Sequence, residues 1–200
     1  MKILGIIPAR GGSKGILKKN IKFLNGKPLI AYTIEAALNS KLYRVIVSTD
    51  CDEIADVSKM YGAEVMMRER YLAEDKTPTL PVIQDVLKRI DEKFDAVMTL
   101  QPTSPIRNTQ HINEAIELFG KDQEANSLIS VVQVPHNFMP EKLMSFNGKY
   151  LLGNTEVKRR QDIAISYARN GAAIYITRTE NLDEYIFGGK ILAYYMSKLE

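Results

Sequence analysis

Apolar residues fall into short unbroken runs, separated by longer stretches in which they recur every three or four positions. The runs are residues 3–7, 44–48, 63–67, 96–100 and 127–134, several of them rich in β-branched side chains. Each has the length and composition of a strand buried on both faces. Between them, Ile30, Ile34, Ala37 and Leu38 follow helical spacing, as do residues 52–61, then Val82, Ile83, Val86, Leu87 and Ile90, and then Ile112, Ala115, Ile116 and Phe119. Asn25-Gly26 marks a turn, Pro28 suits a first helical position, and Asn108 or Thr109 suits a helix cap. Strand–helix alternation of this kind predicts an α/β fold, a mostly parallel sheet covered by helices on both faces. Ligands in such sheets bind beyond the carboxyl ends of the strands. That rule places residues 8–20, 48–52, 68–79 and 101–107 on one rim.

After Pro135 the pattern changes. Residues 144–146 and 149–152 flank Asn147-Gly148, which predicts a β-hairpin with a two-residue turn. A polar, basic segment follows at 154–161, and residues 172–176 and 191–195 have the character of strands rejoining the sheet. The chain therefore reads as a single domain over 1–200, with 136–168 as an excursion from it.

Composition narrows the ligand. The 27 Lys and Arg against 24 Asp and Glu leave a net charge of +3 over 200 residues, too mild and too evenly spread for a nucleic acid or membrane surface. The basic residues do cluster locally, at 10–22 and 158–160, which suits a small anion. One cysteine, Cys51, excludes a disulfide framework and reads as a small residue at a helix start. No signal peptide or membrane span is legible, so the expected location is cytoplasmic. His111, His136 and Cys51 do not form a zinc site, and no Ser/His/Asp triad is legible.

The densest candidate chemistry follows the first strand: Pro8-Ala9-Arg10-Gly11-Gly12-Ser13-Lys14-Gly15, then Lys18-Lys19-Asn20. Glycines let backbone N–H groups approach a ligand, and successive N–H groups form a nest for an anion. Arg10, Lys14, Lys18 and Lys19 add full charges, which points to a triphosphate-binding loop. The Walker A pattern Gly-x-x-x-x-Gly-Lys-Ser/Thr is absent, and so is Gly-x-Gly-x-x-Gly at 11–15. A second stretch, Gln101-Pro102-Thr103-Ser104-Pro105-Ile106-Arg107, is held stiff by two prolines. There Gln101, Thr103, Ser104 and Arg107 either offer hydrogen bonds to a hydroxylated or carboxylated ligand or belong to a structural turn. A third, Lys158-Arg159-Arg160-Gln161 with Arg169-Asn170-Gly171, suits bidentate carboxylate recognition or, equally, a solvated charged face. Ser48-Thr49-Asp50, with Asp52, orients a metal or, as the favoured reading, caps the next helix.

These motifs, in this order, resemble the acylneuraminate cytidylyltransferases, which comprise the CMP-sialic acid synthetases and relatives acting on bacterial nonulosonic acids. The resemblance rests on Ile7-Pro8-Ala9-Arg10-Gly11-Gly12-Ser13-Lys14-Gly15 with Lys19-Asn20, on Asn25-Gly26-Lys27-Pro28-Leu29 and on Val47-Ser48-Thr49-Asp50. It continues through Leu100-Gln101-Pro102-Thr103-Ser104-Pro105-Ile106-Arg107 and Asn170-Gly171-Ala172-Ala173-Ile174-Tyr175. It implies a Rossmann-like nucleotidyltransferase sheet. It also implies a Mg²⁺-dependent reaction in which CTP and a nine-carbon 2-keto sugar acid give the CMP-sugar and pyrophosphate. By the same resemblance, Arg10, Gly11, Gly12, Ser13, Lys14, Lys19 and Asn20 hold the nucleotide, with Lys19 and Arg10 carrying the catalytic role, and Arg68, Thr77 and Thr79 hold the cytosine and ribose. Gln101, Ser104, Arg160, Asn170 and Phe187 meet the sugar acid. The 136–168 excursion becomes a dimerisation arm, so a homodimer is expected. Leu17 stands where the family often has proline. The family's metal-binding aspartates follow a point that corresponds to the end of this sequence, so Mg²⁺ ligands are expected beyond Glu200. Two alternatives remain: a non-catalytic nucleotide-sugar-binding relative, and a nucleotidyltransferase for another sugar such as pseudaminic or legionaminic acid.

Overall fold

In a computed structural model, residues 1–153, 159–171 and 173–197 are described. β1 (Ile3–Pro8) is followed by a long loop, and then by β2 (Phe23–Leu24) and β3 (Lys27–Pro28). Asn25 and Gly26 join β2 to β3 with φ of 45° and 87°, the left-handed pair that a tight hairpin needs. α1 (Leu29–Leu38) starts immediately after Pro28, so that proline precedes the helix instead of forming its first residue. Then come β4 (Arg44–Thr49), α2 (Asp52–Met60), β5 (Glu64–Met67), α3 (Thr79–Arg89), β6 (Ala96–Thr99) and α4 (Thr109–Lys121). Asn108 caps α4 in a reciprocal box: its side chain accepts from His111 N at 3.0 Å and its N–H donates to His111 Nδ1 at 3.2 Å.

β7 (Ser127–Gln133) leads into the excursion, which contains β8 (Met144–Phe146) and β9 (Leu151–Gly153). The turn between these strands spans four residues, not two. Asn147 N donates to Tyr150 O, and the Asn147 carboxamide oxygen accepts from the Lys149 and Tyr150 N–H groups. That side chain rebuilds the turn locally and displaces the pairing. The chain returns as β10 (Tyr167–Arg169), β11 (Tyr175–Arg178) and β12 (Ile191–Tyr195).

β1, β4, β5 and β6 are mutually parallel, with β1 between β4 and β6. β11 lies antiparallel between β6 and β7, and β12 runs parallel to β7 along its other edge. β10 pairs with residues 131–133 of β7 and β11 with residues 127–129, so both lie along the same edge of β7, the first ending at Arg169 and the second starting at Tyr175. The return to the sheet was expected at 172–176, but pairing to β6 begins only at Tyr175. Ser130 accounts for the break. Its N–H donates to Ile174 O at 2.9 Å, its Oγ accepts from Ile174 N at 3.0 Å, and the single hydroxyl proton goes to Asn170 Oδ1 at 2.6 Å. A side chain here substitutes for ladder partners and lets the strand bulge.

Period-2 alternation along β1 feeds two cores. Ile3 and Ile7 pack with Ile30, Ile34, Ile54 and Phe119 under α1, α2 and α4, whereas Leu4 and Ile6 pack with Ile83, Val86, Phe94 and Leu182 under α3. Helices therefore cover both faces of a mostly parallel sheet, as the alternation predicted.

Candidate active site

The parallel ladder continues one bond beyond β1, from Ala9 N to Ser48 O at 2.9 Å. The chain then leaves the sheet and is closed ten residues later by Asn20, whose Nδ2 donates to Arg10 O at 2.9 Å. Asn20 is buried, so it acts as the loop's internal clasp. Gly11 N donates to Asp50 Oδ1 at 3.0 Å, and Lys18 bonds both carboxylate oxygens of Glu53 on α2 at 2.7 Å. Asp50 thus anchors the glycine loop. Neither it nor Asp52 caps α2, whose N-cap residue is Cys51 with no side-chain cap bond, and this corrects the capping expectation.

The loop's glycines divide by role. A Cβ on Gly11 would lie 2.8 Å from Cys51 Cβ, whereas Gly12 and Gly15 have open space around them. Gly11 is required for close packing onto the start of α2. The left-handed residue of the loop is Lys18, at φ 52°, and not one of its glycines. The N–H groups of Gly11 and Ser13 are already engaged, by Asp50 and by Gly11 O. The loop's attraction for an anion therefore rests on side-chain charge more than on the expected backbone nest.

Those charges face a cavity of about 720 Å³. Arg10, Ser13, Lys14, Gly15, Lys19 and Asn20 line it from the glycine loop. Arg68, Thr77 and Thr79 line it from the stretch between β5 and α3, and Gln101, Pro102 and Thr103 from beyond β6. Three of the four rim segments expected from the alternation converge here, and the fourth, 48–52, supports them through Asp50 and Ser48. The volume suits a nucleotide-sized ligand.

Arg68 lies beneath the cavity at 8% exposure. Its N–H donates to Thr49 O, extending the ladder, and Nη1 donates to Ser48 O at 3.3 Å, but Nε has no partner. Burial lowers its pKa, Asp50 opposes that, and Arg10 adds to it. Thr77 Oγ1 donates to Tyr71 O at 2.7 Å. Asp75, which sequence reasoning passed over, crosses the cavity mouth. It accepts from Arg10 Nη1 at 3.0 Å and from Lys14 Nζ. Lys14, followed by Arg10, holds the Asp75 carboxyl below the usual range. Lys18 is likewise paired, with Glu53. Among the described residues, Lys19 is the cation of this loop that has no anionic partner, and it lines the cavity.

The remaining expected contacts lie elsewhere. Ser104, Asn170 and Phe187 do not line this cavity. Asn170 bonds Ser130, and its Nδ2 lies 3.1 Å from Met196 Sδ. The Phe187 ring packs 5.0 Å from that of Tyr175, with the Arg169 guanidinium 5.1 Å above it. Arg160 enters through its backbone in the turn Arg160–Asp162, and its side chain is outside the described part, as are residues 154–158. For Arg107, of the two readings left open by the sequence, the structural turn is the one the structure supports. It is 1% exposed and donates to Gln101 O, Ala173 O and Thr33 Oγ1, so it does not face a ligand. A second cavity, of about 650 Å³, lies under the excursion between Gln133, Val134, His136, Met139, Ile163 and Ile165. Among the described residues no group of three His, Cys, Asp or Glu side chains converges, and Asp50 and Asp75 are already engaged by protein donors. These residues alone do not fit a complete divalent-cation site.

A sheet of this topology, with a cationic cavity beyond its parallel strands, is a nucleotidyltransferase-type architecture. The same fold occurs in a solved CMP:2-keto-3-deoxy-manno-octonic acid synthetase complexed with CTP, which aligns at a TM-score of 0.76 and 18% identity over 98% of this chain and 90% of that one. Residues 4–185 match the cytidylyltransferase family, and the chain belongs to it. Among similar proteins, an N-acylneuraminate cytidylyltransferase of Escherichia coli is 36% identical over 98% of this chain and 48% of its own length. A CMP-N,N'-diacetyllegionaminic acid synthase of Legionella pneumophila is 38% identical over 92% of this chain and 81% of its own. A post-translational flagellin modification protein B of Campylobacter coli is 37% identical over 94% and 83%. The chain thus spans about half the length of the first of these relatives and about four-fifths of the other two. No helix among the described residues is long and apolar enough to cross a membrane.

Proposed function

We propose that the protein transfers a cytidylyl group from CTP to a nine-carbon 2-keto sugar acid. The observation that carries this reading is the convergence of Arg10, Lys14, Lys19 and Arg68 on one nucleotide-sized cavity, bordered by Gln101 on its open side. The relatives named for sialic and legionaminic acids support the sugar class, and the CTP held by a protein of the same fold supports the nucleotide. The sugar's anomeric hydroxyl oxygen forms a bond to the α-phosphorus, the bond from that phosphorus to the β-phosphate bridging oxygen breaks, pyrophosphate leaves, and the hydroxyl proton passes to solvent. No covalent enzyme intermediate is needed, so catalysis consists of positioning and charge stabilisation. Lys19 offers an unneutralised ammonium to the phosphates, and Arg10 and Lys14 join it once Asp75 gives way. Asn20 and Gly11 hold the loop, and Gly12 and Ser13 give it close access. Arg68, Thr77 and Thr79 border the base and ribose. Ser104, Arg160, Asn170 and Phe187 belong to the acceptor side.

A divalent cation such as Mg²⁺, whose ligands the described residues do not complete, would add charge neutralisation on the phosphates. The excursion at 136–168 docks a second copy, because Phe138, Leu143, Phe146, Tyr150, Leu151 and Ile165 are all more than half exposed on it. The test is calorimetric titration of the full-length protein with CTP, GTP, UTP and NADH, followed by pyrophosphate release from CTP and Mg²⁺ with sialic, legionaminic or pseudaminic acid. Selective CTP binding and turnover with one acid are expected. Preference for another nucleotide, or CTP binding without turnover on all three acids, overturns the assignment.

A further inference from the structure

Arg107 is the bulkiest of the fully buried side chains, and it carries a charge. Its three acceptors are all neutral and come from three separate parts of the fold: Gln101 O at 3.3 Å, Ala173 O at 2.8 Å and Thr33 Oγ1 on α1 at 2.6 Å. Nε has no partner, and no carboxylate pairs with the guanidinium among the described residues. Burial alone pushes its pKa down to about 9. An apolar side chain of similar volume would avoid that desolvation, so core packing does not account for an arginine here. The bonds it makes point to a different role. One carbonyl belongs to Gln101, a residue that lines the nucleotide cavity. The other lies three residues after Asn170, in the bulge held from its far side by Ser130. The backbone of the same loop folds back on itself, with Ser104 N donating to Gln101 O and Arg107 N to Ser104 O. A planar fork reaches carbonyls in diverging directions, which a lysine ammonium on a flexible stem does not reproduce.

We propose that Arg107 is the positioning residue of the acceptor half-site, setting the separation between the Gln101–Ser104 loop and the Asn170 turn so that both engage one sugar acid. This rests on the function proposed above. It touches neither substrate; it acts through the two loops that do.

The test uses Arg107→Lys and Arg107→Met, with Thr33→Val as a milder variant that removes one guanidinium partner outside the site. Three quantities are read on each: the KM for the sugar acid at saturating CTP, the Kd for CTP by calorimetry, and Tm. Arg107→Lys is expected to raise the acceptor KM by about tenfold or more, in line with the loss that ångström-scale misplacement causes, while the CTP Kd stays within about twofold of wild type. Thr33→Val shifts the acceptor KM in the same direction by a smaller factor, and it decides the matter if both Arg107 variants fail to fold. An unchanged acceptor KM in a folded variant overturns the positioning role. So does a parallel rise in acceptor KM and CTP Kd that tracks the fall in Tm, as a purely structural role requires. An inactive wild type on every acid sinks the underlying reading and this proposal together, whereas an active wild type with an insensitive Arg107 sinks only the latter.

Discussion

The rim beyond β1 and the excursion beyond β7 are built on opposite plans. On the rim, Ala9, Asn20, Arg68 and Pro102 are buried, and the glycine loop is tied by protein partners at Asn20, Asp50 and Glu53. In the excursion, every residue of β8 and β9 is exposed, and those strands pair only with each other. A two-stranded hairpin with both faces in water is marginal by itself. The cationic cavity, the proposed nucleotide half of the site, is therefore held by the domain's own core, whereas the excursion has exposed apolar surface. Preorganisation of charge is what transition-state stabilisation needs, and a surface awaiting a partner is what assembly needs.

The largest test of this contrast is Lys19→Ala. As the unpaired cation of a prebuilt cradle, its loss is expected to lower kcat by about 10²–10³-fold with little change in acceptor KM, measured by pyrophosphate release. An unchanged kcat removes Lys19 from the chemistry. Next comes Gly11→Ala, whose new methyl would meet Cys51 at 2.8 Å. It is expected to destabilise the fold by about 1–3 kcal/mol in urea titration. Gly12→Ala, with open space, stays within about 0.5 kcal/mol of wild type, and Cys51→Gly relieves part of the Gly11→Ala defect. Equal effects at both glycines would break the claim of a packed loop.

A smaller effect is expected at Asp75, the internal anion that bridges Arg10 and Lys14. Asp75→Asn removes a competitor for those cations and tightens CTP or pyrophosphate by a few-fold, read by calorimetry; weaker binding would mean that Asp75 assists the ligand. The pH dependence has a definite sign. A carboxyl whose folded pKa is depressed adds stability that is present above its unfolded value, near 3.8, and lost as pH falls through the folded value. Acid titration of wild type should therefore show a small loss in that range that Asp75→Asn lacks. The smallest effect on the monomer belongs to the excursion. Leu151→Asp should leave the stability of the monomer within about 0.5 kcal/mol while lowering the mass seen by light scattering from dimer to monomer. A monomeric wild type would leave the exposed hairpin without the partner assigned to it.

How far the sequence reached can be judged from individual residues. Strand–helix alternation located β1, β4, β5, β6 and the helices between them within a residue or two, because burial on both faces leaves a local signature. The same alternation put the glycine loop and residues 68–79 and 101–107 on one rim, and the cavity lies there. The hairpin register was missed because a single Asn147 carboxamide, bonded to two N–H groups, chose a longer turn. Arg107 stayed open between a ligand contact and a structural turn for a related reason: its residue type suits a carboxylate, and nothing in its neighbourhood along the chain reveals that Thr33 and Ala173 enclose it. Asp75 carried no motif at all.

The sequence by itself determined the layered α/β plan, the rim and the family, since each depends on periodicity or on contiguous motifs. Tertiary structure decided which charges remain free. Lys19 and Arg10 are alike in sequence as loop cations, yet Asp75 holds Arg10 and leaves Lys19 open. Asp50 reads as a helix cap, yet it holds Gly11. It also decided that β11 runs antiparallel between β6 and β7, two strands that precede it in the chain and run in the same direction. Partners such as these are separated by tens of residues, and electrostatic pairing depends on distance in space, which no local pattern of residues encodes.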